Sequence, residues 1–143
     1  MILVDVNLLI YAIDRDSPHH RKAHSWFEGV LNGSEMIGLP WIVALAFLRI
    51  TTRAGLLREP MSVEEAVSYC QSWLDLASVR LVAPGPHHWP IFRNLLLSVG
   101  TAGNLTSDVH LAAMALEHGC TIYSADNDFK RFPGITHVNP LAG

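Results

Sequence analysis

Short apolar stretches, each too brief for a helix, alternate along this chain with longer stretches that carry apolar residues at helical spacing. Ile2 to Val4, Met36 to Leu39, Val79 to Val82, Cys120 to Ser124 and Thr136 to Val138 are the short ones, and they read as strands. Continuous apolar strands separated by helices predict an α/β domain of three layers, α/β/α, around a short, mostly parallel central sheet. In open sheets of this kind, ligands gather at the carboxyl ends of the strands. The residues that follow the strands are therefore the first place to look for chemistry.

The helical stretches carry their own punctuation. Val6 to Ile13 follows Asp5 directly. Ser17-Pro18 reads as the N-cap and first turn of a helix whose Ala23, Trp26, Phe27, Val30 and Leu31 face inward until Gly33. Pro40 opens a strongly apolar helix, on which Arg49 and Arg53 stand one turn apart and share a face. Ser62-x-x-Glu65 has capping-box spacing, and Ala66, Tyr69, Cys70, Trp73, Leu74 and Ala77 continue the apolar stripe behind it. Phe92, Leu95, Leu96 and Val99 form the next stripe, ended by Gly100. Thr106, Ser107 and Asp108 open a helix that buries Val109, Ala112, Ala113 and Leu116 and stops at Gly119. Trp26, Trp41, Trp73 and Trp89 fall on these helices at core-compatible positions, which favours packing over base stacking.

The chain has 143 residues, which suits a single domain spanning 1–143 with no need of disulfides. Charged residues make up only 16%, against about 25% in a typical soluble chain. Some apolar surface is therefore expected to meet a second subunit or another partner, with the helices Val6 to Ile13 and Pro40 to Ile50 as the candidates. A net charge of −3 excludes a globally basic nucleic-acid binder. Any such contact needs a local patch, for which Arg49, Arg53, Lys130 and Arg131 are the candidates. Cys70 and Cys120 match no metal-binding or redox spacing and read as reduced thiols in a cytoplasmic protein. No basic n-region precedes Asp5, and the longest apolar run, Leu39 to Leu48, is too short to span a membrane.

Four aspartates sit at the edges of these elements. Asp5 closes the first strand, Asp108 stands at the start of a helix, and Asp126 and Asp128 follow the strand ending at Ser124. Any one of them alone has an ordinary reading as a helix cap or Asx turn. Asp5, however, lies between an apolar strand and an apolar helix, where an unpaired carboxylate is costly to desolvate. A divalent cation removes that cost, and an all-carboxylate site suits Mg²⁺ or Mn²⁺ together with phosphate oxygens. His20 and His24 have the i, i+4 spacing of a zinc pair, but no third ligand accompanies them. His110, two residues after Asp108, reads as packing or surface.

With these residues in view, the chain resembles the PIN-domain ribonucleases, and among them the VapC-type toxins of type II toxin-antitoxin systems. The resemblance is carried by Ile2-Leu3-Val4-Asp5-Val6-Asn7, Ser17-Pro18-His19-His20, the Pro40-Trp41 to Arg49 helix, Asn104-Leu105-Thr106-Ser107-Asp108 and Ser124-Ala125-Asp126-Asn127-Asp128-Phe129. It implies a Mg²⁺- or Mn²⁺-dependent endoribonuclease that hydrolyses RNA phosphodiester bonds with a metal-activated water. It also implies a homodimer held inactive by a VapB-like antitoxin in a hetero-oligomer. Asp5, Asp108 and Asp126 correspond to the metal-binding acids, Asp128 to an auxiliary catalytic acid and Asn7 to a supporting residue. One departure stands out: Ala46 occupies the place where many PIN domains have a glutamate. That position leaves open a second reading, a catalytically impaired PIN-like module that binds RNA or an antitoxin without cleaving. A phosphatase built on Asp5 lacks the second acid it needs, since Asn7 stands there, and no G-x-G-x-x-G follows the first strand.

Overall fold

The computed structural model describes residues 1–142. The chain runs β1 (Ile2–Val4), α1 (Val6–Ile13), α2 (His20–Leu31), β2 (Ile37–Pro40), α3 (Trp41–Thr52), α4 (Val63–Leu74), β3 (Val79–Val82), α5 (His88–Val99), α6 (Thr106–His118), β4 (Thr121–Tyr123) and β5 (His137–Val138). The five strands form one sheet in the order β3-β2-β1-β4-β5, and every pairing is parallel. Six helices flank it, packing in the pairs α1 with α2, α3 with α4 and α5 with α6. The sheet order reverses direction at β1, so the carboxyl ends of β1 and β4 flank the crevice where such sheets hold ligands.

The apolar strands are apolar because both faces of the central sheet are covered. Every residue of β1 and β2 is buried. β2 also carries Gly38, where an added Cβ would stand 2.6 Å from a Leu3 methyl and 2.9 Å from a Val82 methyl. Only glycine lets β1 and β3 flank β2 with side chains of that size. The aromatic core is centred on Trp73, which meets Phe27 and Phe47 edge-on at 5.5 Å and 5.1 Å. Helices α5 and α6 end on Gly100 and Gly119 in left-handed backbone, with φ of 80° and 67°. Ser62 caps α4 by accepting the Glu65 N–H at 3.1 Å.

Several local expectations change. Ser17 does not cap α2: its hydroxyl accepts from the His19 N–H and its carbonyl from the His20 N–H, so Ser17 and Pro18 form a turn and the helix begins at His20. Helix α3 stops at Thr52, and Arg53 turns into extended backbone, so it no longer continues the face that carries Arg49. Ala77 lies beyond the end of α4. Trp41 and Trp89 are 50% and 66% exposed, not core residues, although Trp73 is buried. Of the two apolar helices expected to show a surface stripe, α1 buries Leu8, Leu9, Ile10 and Ala12, whereas α3 does expose Trp41 and Leu45. Helical spacing marks one apolar face; a second face of single residues is invisible to it.

Candidate active site

The site begins with the pairing of β1 and β4. Their register sets Val4 beside Tyr123, and the Asp5 N–H donates to the Tyr123 carbonyl at 2.9 Å. One residue further on, Asp5 therefore lies beside Ser124. The Asp5 Oδ1 atom accepts the Val6 N–H at 2.8 Å, which makes Asp5 the N-cap of α1. Its Oδ2 atom accepts the Ser124 hydroxyl at 2.7 Å and, more weakly, the Asn7 amide at 3.4 Å. Asn7 also donates to Ser124 Oγ at 3.2 Å and accepts the Ala125 N–H at 3.2 Å, so it ties the start of α1 to the segment after β4.

Ser124 is fully buried, and its Oγ atom also accepts the Asp126 N–H at 3.0 Å. Asp126 in turn caps the short 3-10 turn Asn127–Arg131 by accepting the Asp128 N–H at 2.8 Å. Asp108 comes from the first turn of α6, half-buried, on the far side of the same crevice. One carboxylate oxygen each from Asp108, Asp126 and Asp128 lies within 4.8 Å of the others.

Electrostatics register this crowding. Burial raises the pKa of Asp108 to about 6, helped by the negative charges of Asp5, Asp126 and Asp128. Burial also raises the pKa of Asp5, a shift that the Ser124 and Val6 hydrogen bonds oppose, Asp126 adds to and His137 reduces. An oxygen-only donor set that resists holding its own negative charge fits a hard divalent cation such as Mg²⁺ or Mn²⁺.

Of the acids expected at the site, the structure brings Asp108 and Asp126 together. Asp128, expected to be auxiliary, belongs to the same three-oxygen cluster, while Asp5 stands beside it with both oxygens engaged by neighbours. Asp5, Ala46, Arg49, Ser107, Asp108 and Leu111 also help to line a cleft of 230 Å³ that adjoins the cluster. Arg49 lines this cleft, whereas Arg53 does not. Lys130 and Arg131 are exposed on the 3-10 turn, and Arg131 stands 4.0 Å from Asp128. Ser124 was missed from the sequence, where it reads as the last residue of a strand. Its signal is its place two residues before Asp126, where a short hydroxyl can reach back to the neighbouring strand.

The histidines do other work. His20 and His24 turn their Nδ1 atoms to the carbonyls of Tyr11 and Ala12, at 2.9 Å and 3.3 Å, and no third metal-binding side chain converges on them among the described residues. His110, expected in packing or at the surface, meets His88 across the α5–α6 contact, Nδ1 to Nε2 at 3.1 Å.

A parallel sheet in this order, with aspartates after β1 and β4 and at the head of α6, defines a PIN domain, and the family model for the PIN domain matches residues 2–135. The chain belongs to that family, in its VapC-type ribonuclease branch. It is 42% identical to "Ribonuclease VapC33" of Mycobacterium tuberculosis over 141 residues, covering 99% of each chain. It is 41% identical to "Ribonuclease VapC37" of the same organism, again over 99% of both. Among solved structures, Mycobacterium tuberculosis VapC20, described as a sarcin-ricin loop cleaving toxin, superposes with a TM-score of 0.73 at 16% identity, covering 98% of this chain and 100% of that one. The VapBC2 complex of Rickettsia felis bound to a promoter DNA fragment has a TM-score of 0.72 at 17% identity, over 97% and 98% of the two chains.

Proposed function

We propose that this protein is the toxin of a VapBC-type pair, an endoribonuclease that hydrolyses RNA phosphodiester bonds and depends on Mg²⁺ or Mn²⁺. The observation that carries this reading is the convergence of Asp108, Asp126 and Asp128 beside Asp5 at the carboxyl ends of β1 and β4. A module that only bound RNA would gain nothing from mutually repelling carboxylates, so the acids speak against the impaired reading that Ala46 suggests.

In this reading Asp108, Asp126 and Asp128 hold the cation, and Asp5 completes the negative field from the end of β1. When bound, the cation supplies Lewis acidity towards a phosphate oxygen and makes a water more acidic. Ser124 keeps Asp5 facing the crevice, and Asn7 fixes the segment that carries Asp126. The raised pKa of Asp108, about 6, means that a cation held there would favour its charged form and extend binding to lower pH only at the cost of a proton. Arg49, with Lys130 and Arg131, supplies positive charge to an otherwise acidic protein for contact with RNA.

The partners follow from the same family. Exposed Trp41 and Leu45 on α3, with Trp89 and Leu97 on α5, provide apolar surface for a homodimer, and a VapB-like antitoxin is the second partner. Among the described residues no helix is long and apolar enough to cross a membrane, and both cysteines are free and buried, in keeping with a cytoplasmic setting. The test is direct: protein purified without antitoxin is mixed with RNA and Mg²⁺ or Mn²⁺. Cleavage should appear and should vanish with chelator. Full activity in Asp5→Asn and Asp108→Asn would overturn the reading.

A further inference from the structure

The 230 Å³ cleft beside the acid cluster is lined by Asp5 from the end of β1, Asp108 from α6 and Arg49 from α3. Arg49 is exposed, and no carboxylate oxygen of a described residue lies within 4.0 Å of its nitrogens. An arginine that served only to neutralise the acids would be paired with one of them. One turn earlier on the same helix, Ala46 offers the cleft a methyl group and no charge, so Arg49 is the one charged residue that α3 contributes to this wall. Ile42, Val43 and Ile50 make the rest of that wall apolar, which lessens the screening of any ion pair formed there.

We infer that Arg49 forms a phosphate subsite for single-stranded RNA, gripping a phosphodiester next to the one held at the acids. This rests on the ribonuclease reading above and deepens it. The guanidinium fork matches two phosphate oxygens at once, a geometry that a lysine ammonium does not reproduce. A carboxylate ligand would match the fork equally well, but the cleft adjoins the acid cluster through Asp108. A chain with repeating phosphates offers one phosphate to the carboxylate cluster and its neighbour to the cleft. Ser107, in the first turn of α6, adds a hydroxyl to the same lining.

The test uses the full-length protein and a 2′-O-methyl single-stranded RNA oligonucleotide of mixed sequence, whose binding is followed by fluorescence anisotropy in Mg²⁺ at several salt concentrations. Arg49→Ala should weaken binding on the order of tenfold to a hundredfold, the loss expected for a charge-assisted pair of hydrogen bonds. The log–log salt slope should fall by about 0.7, one phosphate contact on a single strand. Arg49→Lys should recover only part of the affinity, and in cleavage assays Arg49→Ala should raise KM more than it lowers kcat. Arg80→Ala, on the edge strand β3, controls for loss of a positive charge, and circular dichroism checks that each variant is folded. Unchanged oligonucleotide affinity in a folded Arg49→Ala, or full recovery in Arg49→Lys, overturns the subsite. Because the binding arm needs no cleavage, a wild-type protein that binds the oligonucleotide through Arg49 but cuts no RNA would refute the ribonuclease reading and leave the subsite standing.

Discussion

Ser124 donates its hydroxyl to Asp5 Oδ2 at 2.7 Å across a separation of 119 residues in sequence. Ser124 Oγ itself accepts from the Asp126 backbone N–H and from the Asn7 amide, so one buried hydroxyl orients two acids of the site. Ser124→Ala should therefore destabilise the fold by about 1–3 kcal/mol, because it leaves Asp5 Oδ2 with only the weaker Asn7 contact and takes the Asp126 N–H's acceptor away. It should also push the Asp5 pKa further up. Urea unfolding gives the first quantity and carboxyl NMR titration the second; an unchanged Asp5 titration would show that Ser124 does not orient it.

Asp108 links stability to pH in the metal-free protein. Its pKa is raised from 3.8 to about 6, so the folded state binds the proton more tightly than the unfolded state does. Its favourable contribution is complete below pH 3.8 and is lost as pH rises through about 6. With chelator present, Asp108→Asn should thus stabilise the protein at pH 7.5 by about 1 kcal/mol, a figure discounted for the screening of a half-exposed carboxyl. The gain should shrink towards pH 4. Thermal melts across that range check it, and an equal gain at both ends would refute the linkage.

Metal affinity should report which acids bind directly. Since the Asp128 oxygen converges with those of Asp108 and Asp126, Asp128→Asn should cost at least about tenfold in Mn²⁺ affinity. Calorimetric titration of the antitoxin-free protein measures this. A loss below twofold would return Asp128 to an auxiliary role.

Glu117 carries a different pH dependence. Burial works against its charge, but its carboxylate accepts the N–H groups of Gly85 and His87 at 2.7 Å and 2.8 Å, which together with His118 and His88 holds its pKa below the ordinary value of 4.5. Its contribution is present above that value and is lost as pH falls through the depressed one. Glu117→Gln should cost on the order of 1–2 kcal/mol at neutral pH and less in acid. Chemical unfolding at pH 7 and pH 3.5 separates the two, and a pH-independent loss would point to packing alone.

Much of the architecture was legible because apolar strands and amphipathic helices differ in period. The bounds of β1, α1 and β3 follow directly from Ile2–Val4, Val6–Ile13 and Val79–Val82. Asp5, Asp126 and Asp128 stood out by their place after strands and Asp108 by its place at a helix start. What the sequence concealed depends on pairing between distant segments. Ser124 matters only because the β1–β4 register sets it beside Asp5, and the grouping of Asp128 with Asp108 and Asp126 depends on the 3-10 turn at Asn127. Ser17 looked like a helix cap because the motif is local, but the chain spends that hydroxyl on a turn before the helix begins. Exposure of Trp41 and Trp89 was equally hidden, since a tryptophan on an amphipathic helix reads the same whether it meets the core or a partner.

The neighbouring positions of β1 and β4 in the sheet have a consequence for synthesis. Asp5 leaves the ribosome more than a hundred residues before Thr121–Tyr123 and the acids behind it, and the two strands must pair before Asp5 and Asp126 are set side by side. A translation product that halts before Thr121 carries Asp5 and Asp108 and can pair β1 with β2, but it lacks β4 and the Ser124 hydroxyl that Asp5 accepts. Copies truncated before β4 should therefore be inert, and nuclease competence arrives only once β4 and the acids behind it have been made.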